Sequence, residues 1–177
     1  MGNKFSIFQD WSANGGNAKG RVVMLLFRIA HLLRCGPAWL RPLALLYGPF
    51  YRVGVEWLMG IELPWKTVVG EGLRLDHGVG LVINDHAIIG RNCHLRQSTT
   101  IGHKQRKDGS YSGAPVLEDH VNVGANVVII GEVRVGSGAV IGAGSVVTKN
   151  IPPGSTVGGN PAKMISASLS PREEGHC

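Results

Sequence analysis

The sequence predicts a mainly β fold, a parallel β-helix built from hexapeptides, with an α-helical segment before it. Large aliphatic residues recur at a strict interval of six between residues 123 and 147, and glycine directly follows three of them. These ladder residues are Val123, Ile129, Val135, Ile141 and Val147. An interval of six fits neither an amphipathic helix nor a hairpin strand, whereas a short fixed repeat is typical of coils in which three hexapeptides close one triangular turn. Each ladder residue is therefore expected to point into the coil.

The ladder extends toward the N-terminus with two interruptions. Its earlier members are Leu63, Val69, Leu75, Ile83, Ile89, Leu95 and Ile101, with a slip of two residues before Ile83. Between Ile101 and Leu117 the spacing is sixteen, four more than two hexads, so residues 103–115 are predicted to protrude as a loop. The proline pair at 152 and 153 is expected to lead the chain out of the coil. About twelve hexads predict about four turns, and the flat aliphatic-edged flanks of so thin a prism predict a trimer.

Two apolar segments before the ladder are predicted to be helices. The first, Val22 to Arg34, is ended by Gly36-Pro37. The second, Leu43 to Met59, begins after Pro42 and is expected to break near Gly48-Pro49. Both are too interrupted to span a bilayer, which needs about 20 consecutive apolar residues.

The pattern predicts three regions in the chain. Residues 1–60 form an N-terminal helical segment, of which residues 1–19 are polar and glycine-rich and are expected to be a loose terminus. Residues 61–166 form the β-helix domain with its protruding loop at 103–115. Residues 167–177 are predicted to be a flexible tail.

The helical segment leaves two interpretations of its surface open. It carries the aromatic residues Trp39, Phe50, Tyr51 and Trp57 and the arginines Arg28, Arg34, Arg41 and Arg52. Packing against the coil or a neighbouring subunit is the ordinary explanation of the aromatic and aliphatic side chains. Peripheral contact with a membrane, with the arginines facing lipid phosphates, is the alternative.

Composition narrows the class of protein and its compartment. The formal net charge of +6 and the pI near 9.6 allow an anionic partner, but no run of Lys and Arg interleaved with aromatic residues indicates nucleic acid. Cys35, Cys93 and Cys177 make no paired framework, and no secretory signal is evident, so a cytoplasmic location is predicted. Cys93 occupies the small-residue position of its hexad and is expected to be a core residue.

Several motifs resemble one acyltransferase family. They are Asp76-His77-Gly78-Val79-Gly80, the loop end Ala114-Pro115, the segment Gly142-Ala143-Gly144-Ser145-Val146-Val147 and the closing Gly159-Asn160-Pro161-Ala162-Lys163. With them the chain resembles the serine acetyltransferase branch of the hexapeptide acyltransferases, and within it the acetyltransferases of exopolysaccharide, colanic acid and capsule synthesis. The resemblance covers residues 60–165 best. It implies a left-handed coil, a homotrimer or a dimer of trimers, and acetyl-CoA as co-substrate.

The resemblance implies a catalytic role for His77. In this family the histidine of the Asp-His motif takes the proton of the acceptor hydroxyl, a contribution of about 10²–10⁴-fold in rate. A carboxylate fifteen residues earlier orients that histidine. Here the position is Glu62, where serine acetyltransferases carry aspartate.

The acceptor side departs from the serine acetyltransferases. Their loop ends in Arg-His-Pro, whereas this chain has Gly113-Ala114 before Pro115 and so lacks the guanidinium that would clamp a carboxylate. Asp76 and Asn84 are the residues expected to bind the acceptor. A saccharide hydroxyl, in cell-surface glycan synthesis, is therefore predicted as the acceptor, and serine, in cysteine biosynthesis, is the alternative.

For the donor, the family-matched positions lie near the C-terminal end of the coil. Ala125 and Ala143 are small residues eighteen apart, so they are expected one turn apart on one flank, where the pantetheine arm could lie against the backbone. Thr148, Lys149 and Lys163 complete the predicted donor site, and the two lysines would meet phosphate groups.

Two other classes of protein are compatible with the coil. Zinc enzymes of the gamma-type carbonic anhydrase class use such coils, and this chain has many histidines, among them His77, His86, His94, His103 and His120. These five histidines fall in three different hexad phases and no close His-x₃₋₅-His pair occurs, so no metal is expected. A non-enzymatic scaffold trimer is the second alternative, against which the pairing of His77 with Glu62 counts.

Overall fold

A computed structural model describes residues 5–166. The helical elements are α1 (Ala18–Cys35), a 3₁₀ turn (Ala38–Leu40), α2 (Arg41–Tyr51) and a π-helical segment (Arg52–Leu58). The strands are β1 (Ile61–Glu62), β2 (Val68–Val69), β3 (Arg74–Asp76), β4 (Leu81–Ile83), β5 (Ile88–Ile89), β6 (His94–Arg96), β7 (Thr100–Gly102), β8 (Val116–Leu117), β9 (Asn122–Val123), β10 (Val128–Ile130), β11 (Arg134–Val135), β12 (Val140–Ile141), β13 (Val146–Val147), β14 (Thr156–Gly158) and β15 (Lys163–Ser166). The predicted tail, residues 167–177, lies outside the described residues.

The strands form three parallel sheets that wrap around one core. Sheet I has the order β1-β4-β7-β10-β13, sheet II the order β2-β5-β8-β11, and sheet III the order β3-β6-β9-β12-β14, with β15 added antiparallel. From β1 to β13 each strand is followed along the chain by a strand of the next sheet, so three short strands make one turn. The predicted mainly β, parallel β-helix of hexapeptides with a helical N-terminal segment is confirmed.

The ladder residues fill the interior of the coil. Every ladder residue named above is buried, and so are the small residues two positions before many of them. Cys93 is one of these, and it is fully buried as predicted. Burial raises the pKa of the Cys93 thiol to about 11.

We therefore expect Cys93 to resist alkylation in the folded protein. Only the thiolate reacts at a useful rate, and at mildly alkaline pH almost none of Cys93 is ionised. Iodoacetamide labelling followed by peptide mass spectrometry should modify the exposed Cys35 in native buffer and Cys93 only in denaturant. Comparable native labelling of both thiols would contradict this packing.

Successive turns of the coil differ in length, and the differences fall at two corners. In sheet I, Glu62 pairs with Val82 twenty residues on, and Val82 pairs with Thr100 eighteen residues on. Two extra residues therefore lie in the corner between β3 and β4, as the slip in the ladder predicted. Thr100 pairs with Val128, which is twenty-eight residues on, before the spacing returns to eighteen at Val146. The loop at 103–115 therefore adds ten residues rather than the predicted four. The prediction is wrong because Leu117 lies on sheet II, so one hexad and not two separates it from Ile101 on sheet I.

The coil also continues further than predicted. Ile151 pairs in parallel with Val135, and Val157 of β14 pairs with Ile141. Both Ile151 and Val157 are buried. The predicted exit at the proline pair is therefore wrong, because the hexad that contains the prolines keeps the usual spacing of six, from Ile151 to Val157, and the coil has about five turns rather than four.

The helices differ from the prediction mainly at their ends. Helix α1 starts at Ala18, because the Asn17 side chain accepts a hydrogen bond from the Gly20 N–H at 2.9 Å and caps the first turn. Helix α2 continues through Pro49, so the predicted break near Gly48-Pro49 is wrong; the change to π-helical geometry comes at Arg52.

The segment before α1 caps the open edge of the first turn. The Asp10 carboxylate accepts a hydrogen bond from the Leu73 N–H at 2.9 Å. Asn14 accepts from the Leu75 N–H at 3.0 Å and donates to the Leu73 carbonyl at 2.8 Å, and Asn17 donates to the Leu75 carbonyl. These side chains satisfy the edge of β3 that no strand covers. The predicted loose terminus is therefore wrong for residues 10–17.

Arg28 of α1 completes this cap from the other side. Its buried guanidinium donates to the Val69 carbonyl at 2.8 Å, to the Gly70 carbonyl at 2.6 Å and to the Asp10 carboxylate at 2.7 Å. Arg28 thus faces the coil, and the interpretation that it faces lipid phosphates is wrong. We call Asp10, Asn14, Asn17 and Arg28 the edge clamp.

Candidate active site

The corner between β3 and β4 carries His77 on an unusual backbone. His77 has a φ of 65°, in the left-handed region that few residues other than glycine adopt. The Gly80 N–H donates to the Gly60 carbonyl at 2.7 Å, and a Cβ on Gly78 would lie 2.8 Å from the Ile61 side chain. The corner is therefore pressed against the start of β1, and it holds the His77 imidazole at the surface.

The two predicted catalytic side chains lie on neighbouring elements but do not contact each other. Within residues 5–166, neither His77 nor Glu62 has a side-chain hydrogen bond, and both are exposed. Burial raises the pKa of Glu56, and the nearby Arg52 opposes this shift. The carboxylate of Glu62 lies close enough to raise the pKa of Glu56 further. The pairing of Glu62 with His77 remains a prediction, since catalytic hydrogen bonds often form only when substrate is bound.

Asp76, next to His77, is held by two donors on sheet III. Its carboxylate accepts hydrogen bonds from Arg74 Nε at 3.0 Å and from His94 Nε2. Partial burial opposes ionisation, but these two hydrogen bonds outweigh it and hold the pKa of Asp76 below its usual value. Asp76 is thus an ionised, fixed neighbour of the corner, and both of its oxygens have partners.

His94 is fixed in one tautomer by this arrangement. Burial and the nearby Arg96 guanidinium lower the pKa of His94, although Asp76 opposes the shift. Arg96 Nη2 lies 3.4 Å from His94 Nδ1, a nitrogen that can only accept from it. The neutral imidazole therefore carries its proton on Nε2 and donates that proton to Asp76.

We expect the titration of His94 to show this directly. Its pKa in the folded protein should lie below the ordinary value of 6.5. Nuclear magnetic resonance of protein labelled at histidine, with the His94→Gln variant to assign the signal, would measure it. A midpoint above the ordinary value would mean that the attraction of Asp76 dominates and that the hydrogen-bond chain is charged at neutral pH.

A groove on sheet I brings Glu62 and Asn84 together. It has a volume of about 350 Å³, and its lining includes Thr100 and His103 but neither His77 nor any Lys or Arg. Asn84 Nδ2 donates to His103 Nδ1 at 3.0 Å, and the His103 ring lies 4.3 Å from the ring of Tyr111. The sequence had indicated His103 only as a possible metal ligand and gave Tyr111 no role. Their contact depends on how the protruding loop folds back, which no local pattern predicts.

The predicted donor residues divide between the flank and the C-terminal end of the coil. The Gly144 N–H donates to the Ala125 carbonyl at 2.8 Å, so Ala125 and Ala143 lie one turn apart on the same flank. Thr148 and Lys149 line a groove of about 150 Å³. Lys163 is exposed on β15 and lines none of the grooves described here.

A third groove lies beneath the protruding loop and was not predicted. Its volume is about 490 Å³, and the loop cations Lys104, Arg106 and Lys107 line it together with Thr148 and Glu132. The signal for it was present in the sequence, because these three cations stand close together in a loop that carries no ladder. We call this the loop groove.

Two further observations bear on the alternatives. Among residues 5–166, no group of three His, Cys, Asp or Glu side chains is placed to hold a metal ion. A Cβ on Gly113 would lie 3.0 Å from the Glu132 side chain, so the position where the serine enzymes carry arginine faces a carboxylate here.

Comparison with known proteins gives a consistent result. The bacterial transferase hexapeptide family (six repeats) matches residues 114–149. Serine acetyltransferase 4 of Arabidopsis thaliana is 35% identical over 147 residues, 83% of this chain and 39% of the relative. The structure of the Neisseria gonorrhoeae serine acetyltransferase superposes with a TM-score of 0.76 at 30% identity, over 93% of this chain and 65% of that one.

The family is shown by the likeness of this chain to the soybean serine acetyltransferase complexed with serine. It is 30% identical, with a TM-score of 0.74, over 90% of this chain and 68% of that one. The chain belongs to the serine acetyltransferase family of hexapeptide-repeat transferases. It spans only about two fifths of the length of the Arabidopsis relative.

Membership of this family corrects the predicted acceptor. The resemblance to exopolysaccharide acetyltransferases, and with it the saccharide acceptor, is wrong, because the chain matches serine acetyltransferases in both sequence and structure. The missing guanidinium at Gly113-Ala114 does not exclude an amino-acid acceptor, because a cation elsewhere in the chain can meet a carboxylate. The loop groove supplies other cations, among them Arg106.

Proposed function

We propose that this chain transfers the acetyl group of acetyl-CoA to the hydroxyl of L-serine. The observation that carries the proposal is the likeness, over 90% of the chain, to a serine acetyltransferase solved with serine. The donor is supported by a further serine acetyltransferase, 26% identical, that was solved in complex with CoA. The exposed imidazole on the β3–β4 corner gives the reaction a base.

In the proposed reaction His77 acts on the serine hydroxyl. Its neutral imidazole takes the hydroxyl proton as the oxygen attacks the thioester carbonyl, and a tetrahedral intermediate forms. The C–S bond then breaks, and the imidazolium returns the proton to the departing CoA sulfur. Glu62 would stabilise the imidazolium once substrate brings the two side chains together.

Asp76 and Asn84 are proposed to hold the acceptor. Asp76 stays ionised beside His77 because Arg74 and His94 hold it, which suits the ammonium group of an amino acid. Asn84 belongs to the groove on sheet I that also contains Glu62. The carboxylate of serine needs a cation, and the loop cations are the candidates nearest to the Asn84–His103 contact in sequence.

The donor is proposed to lie along the flank that carries Ala125 and Ala143. Small side chains at these positions leave the backbone open to the amides of the pantetheine arm. Thr148 borders both C-terminal grooves, and Lys149 borders one of them. Lys149 and Lys163 would serve the phosphates, and we add the cations of the loop groove to this role.

The proposal includes a homotrimer in the cytoplasm. The flat sheets of the coil offer flanks that can pack around a threefold axis, where one flank of each protomer meets a different flank of the next, and a site formed between two protomers would complete the groove on sheet I. The two cysteines in the described part of the chain, one exposed and one buried, form no disulfide, which fits a reducing compartment.

Thiol release from acetyl-CoA tests the proposed acceptor. The purified chain should release CoA with L-serine and not with O-methyl-L-serine, which keeps both charges but lacks the hydroxyl. Equal release with both amino acids, or none above hydrolysis with either, would contradict the proposal.

A further inference from the structure

Helix α2 and its neighbours carry an apolar face that no residue among 5–166 covers. Its exposed residues are Trp39, Leu43, Leu45, Leu46, Phe50, Val53, Trp57 and Leu58. Leu45 is 80% exposed, Trp39 75% and Trp57 74%. A groove of about 870 Å³ runs along this surface. We call it the helical face; so large an exposed apolar surface marks an interaction site.

The other side of the same helix packs against the coil and against α1. The Tyr51 hydroxyl donates to the Leu63 carbonyl at 2.6 Å, and the Tyr47 hydroxyl donates to the Leu26 carbonyl at 3.2 Å. Tyr51 and Val55 are fully buried. The helical face is therefore a second apolar surface of this segment. The packing of the opposite, buried side keeps it turned toward solvent.

The charges around the helical face are almost all positive. Arg34, Arg41 and Arg52 line its groove. The sequence has no Asp or Glu between residues 11 and 55, and the first acid after them, Glu56, is paired with Arg52 at 3.3 Å. An apolar surface with a cationic rim is complementary to the surface of a bilayer that contains anionic lipid.

We propose that the helical face docks this protein onto an anionic membrane surface, with its aromatic and leucine side chains among the lipid chains and its arginines at the phosphates. A second copy of the chain is the competing occupant. In a twofold contact the same patch meets itself, so arginines would face arginines with only Glu56 as a counter-charge. Lipid phosphates supply that charge.

The helices are placed to lie on a bilayer rather than to cross it. No single helix among residues 5–166 is long and apolar enough to span one; only α1 and the stretch 38–58 together reach that length and composition, and they are bent by 115°. One face of α1 is buried in the coil through Val23, Phe27 and Arg28. In the proposed trimer, three helical faces would lie at the same end of the coil and bind together.

Vesicle co-sedimentation of the full chain tests the proposal. Wild-type protein should pellet with vesicles of phosphatidylcholine containing one third phosphatidylglycerol, and much less with phosphatidylcholine alone. The double variant Leu45→Glu/Leu46→Glu should bind at least about tenfold more weakly, because burial of even one leucine side chain is worth such a factor. Arg34→Gln and Arg41→Gln should each weaken binding about fivefold.

The control is Ile165→Glu, at an exposed apolar residue on β15, which should bind as wild type does. Light scattering and circular dichroism of every variant report assembly and folding. Wild-type protein that pellets with neither or equally with both kinds of vesicle, or a Leu45→Glu/Leu46→Glu variant that binds as wild type, overturns the proposal. A particle mass that falls in that variant also overturns it, because the face then covers a second copy.

Discussion

Replacement of His77 should lower kcat/KM for acetyl transfer to L-serine by about 10²–10⁴-fold, the usual contribution of a general base. The loss should appear in kcat, because the imidazole acts on the proton that moves in the transition state. His77→Asn is the preferred variant, because asparagine tolerates the left-handed backbone at this position, and His77→Ala is its companion.

Both variants should still bind CoA and keep the particle mass of wild type, since the His77 side chain is exposed and makes no hydrogen bond among residues 5–166. His86→Asn is the matched control, because His86 is also an exposed histidine at a corner. If both His77 variants keep more than a tenth of the activity, His77 is not the base.

Asp10→Asn should destabilise the protein by about 3–5 kcal/mol, the range for breaking a buried ion pair. The substitution keeps the size of the side chain but leaves the Arg28 guanidinium, 2% exposed, without its counter-charge. It also weakens the acceptor of the Leu73 N–H. The free energy of unfolding should be measured in urea at equal protomer concentration, since assembly shifts it.

The matched control for that measurement is Asp108→Asn in the protruding loop. Asp108 is exposed and accepts hydrogen bonds only from Ser110 among the described residues, so its replacement should leave the urea midpoint within error of wild type. The pair Asp10→Leu/Arg28→Met should recover only part of the loss, because it removes both charges together but leaves the Leu73 N–H and the Val69 and Gly70 carbonyls without these side-chain partners. A midpoint for Asp10→Asn equal to that of Asp108→Asn would mean that the edge clamp contributes nothing to folding.

The coil could be predicted because its cause is local and repeated. One buried aliphatic residue per hexad leaves a pattern in the sequence wherever the coil is regular. The spacing of the ladder residues does not show how long an insertion is, however. A spacing of sixteen between Ile101 and Leu117 fits two hexads with four inserted residues as well as one hexad with ten inserted residues. Only the sheet on which Leu117 lies distinguishes the two.

The edge clamp could not be predicted from local pattern. Asp10 and Asn14 stand among glycine and polar residues typical of a loose terminus, and their partners Leu73 and Leu75 are about sixty residues away. Side chains that replace a missing strand leave no period in the sequence. The contact of His103 with Tyr111 also leaves no period in the sequence, because it depends on how the protruding loop folds back.

The prediction of a saccharide acceptor is wrong for a different reason. Gly113 and Ala114 exclude one source of positive charge for a carboxylate, but they exclude no other source in the chain. Arg106 lies in the same loop, and it lines the loop groove because of the path that the loop takes. Family membership rests on the whole chain and therefore outweighs the two positions.

Identification of the reaction product tests the central claim most directly. The full chain, incubated with acetyl-CoA and L-serine, should form O-acetyl-L-serine in a one-to-one ratio with released CoA, as measured by mass spectrometry against a synthetic standard. Release of CoA at the same rate with and without serine, and no O-acetyl-L-serine, would contradict the assignment of serine as the acceptor.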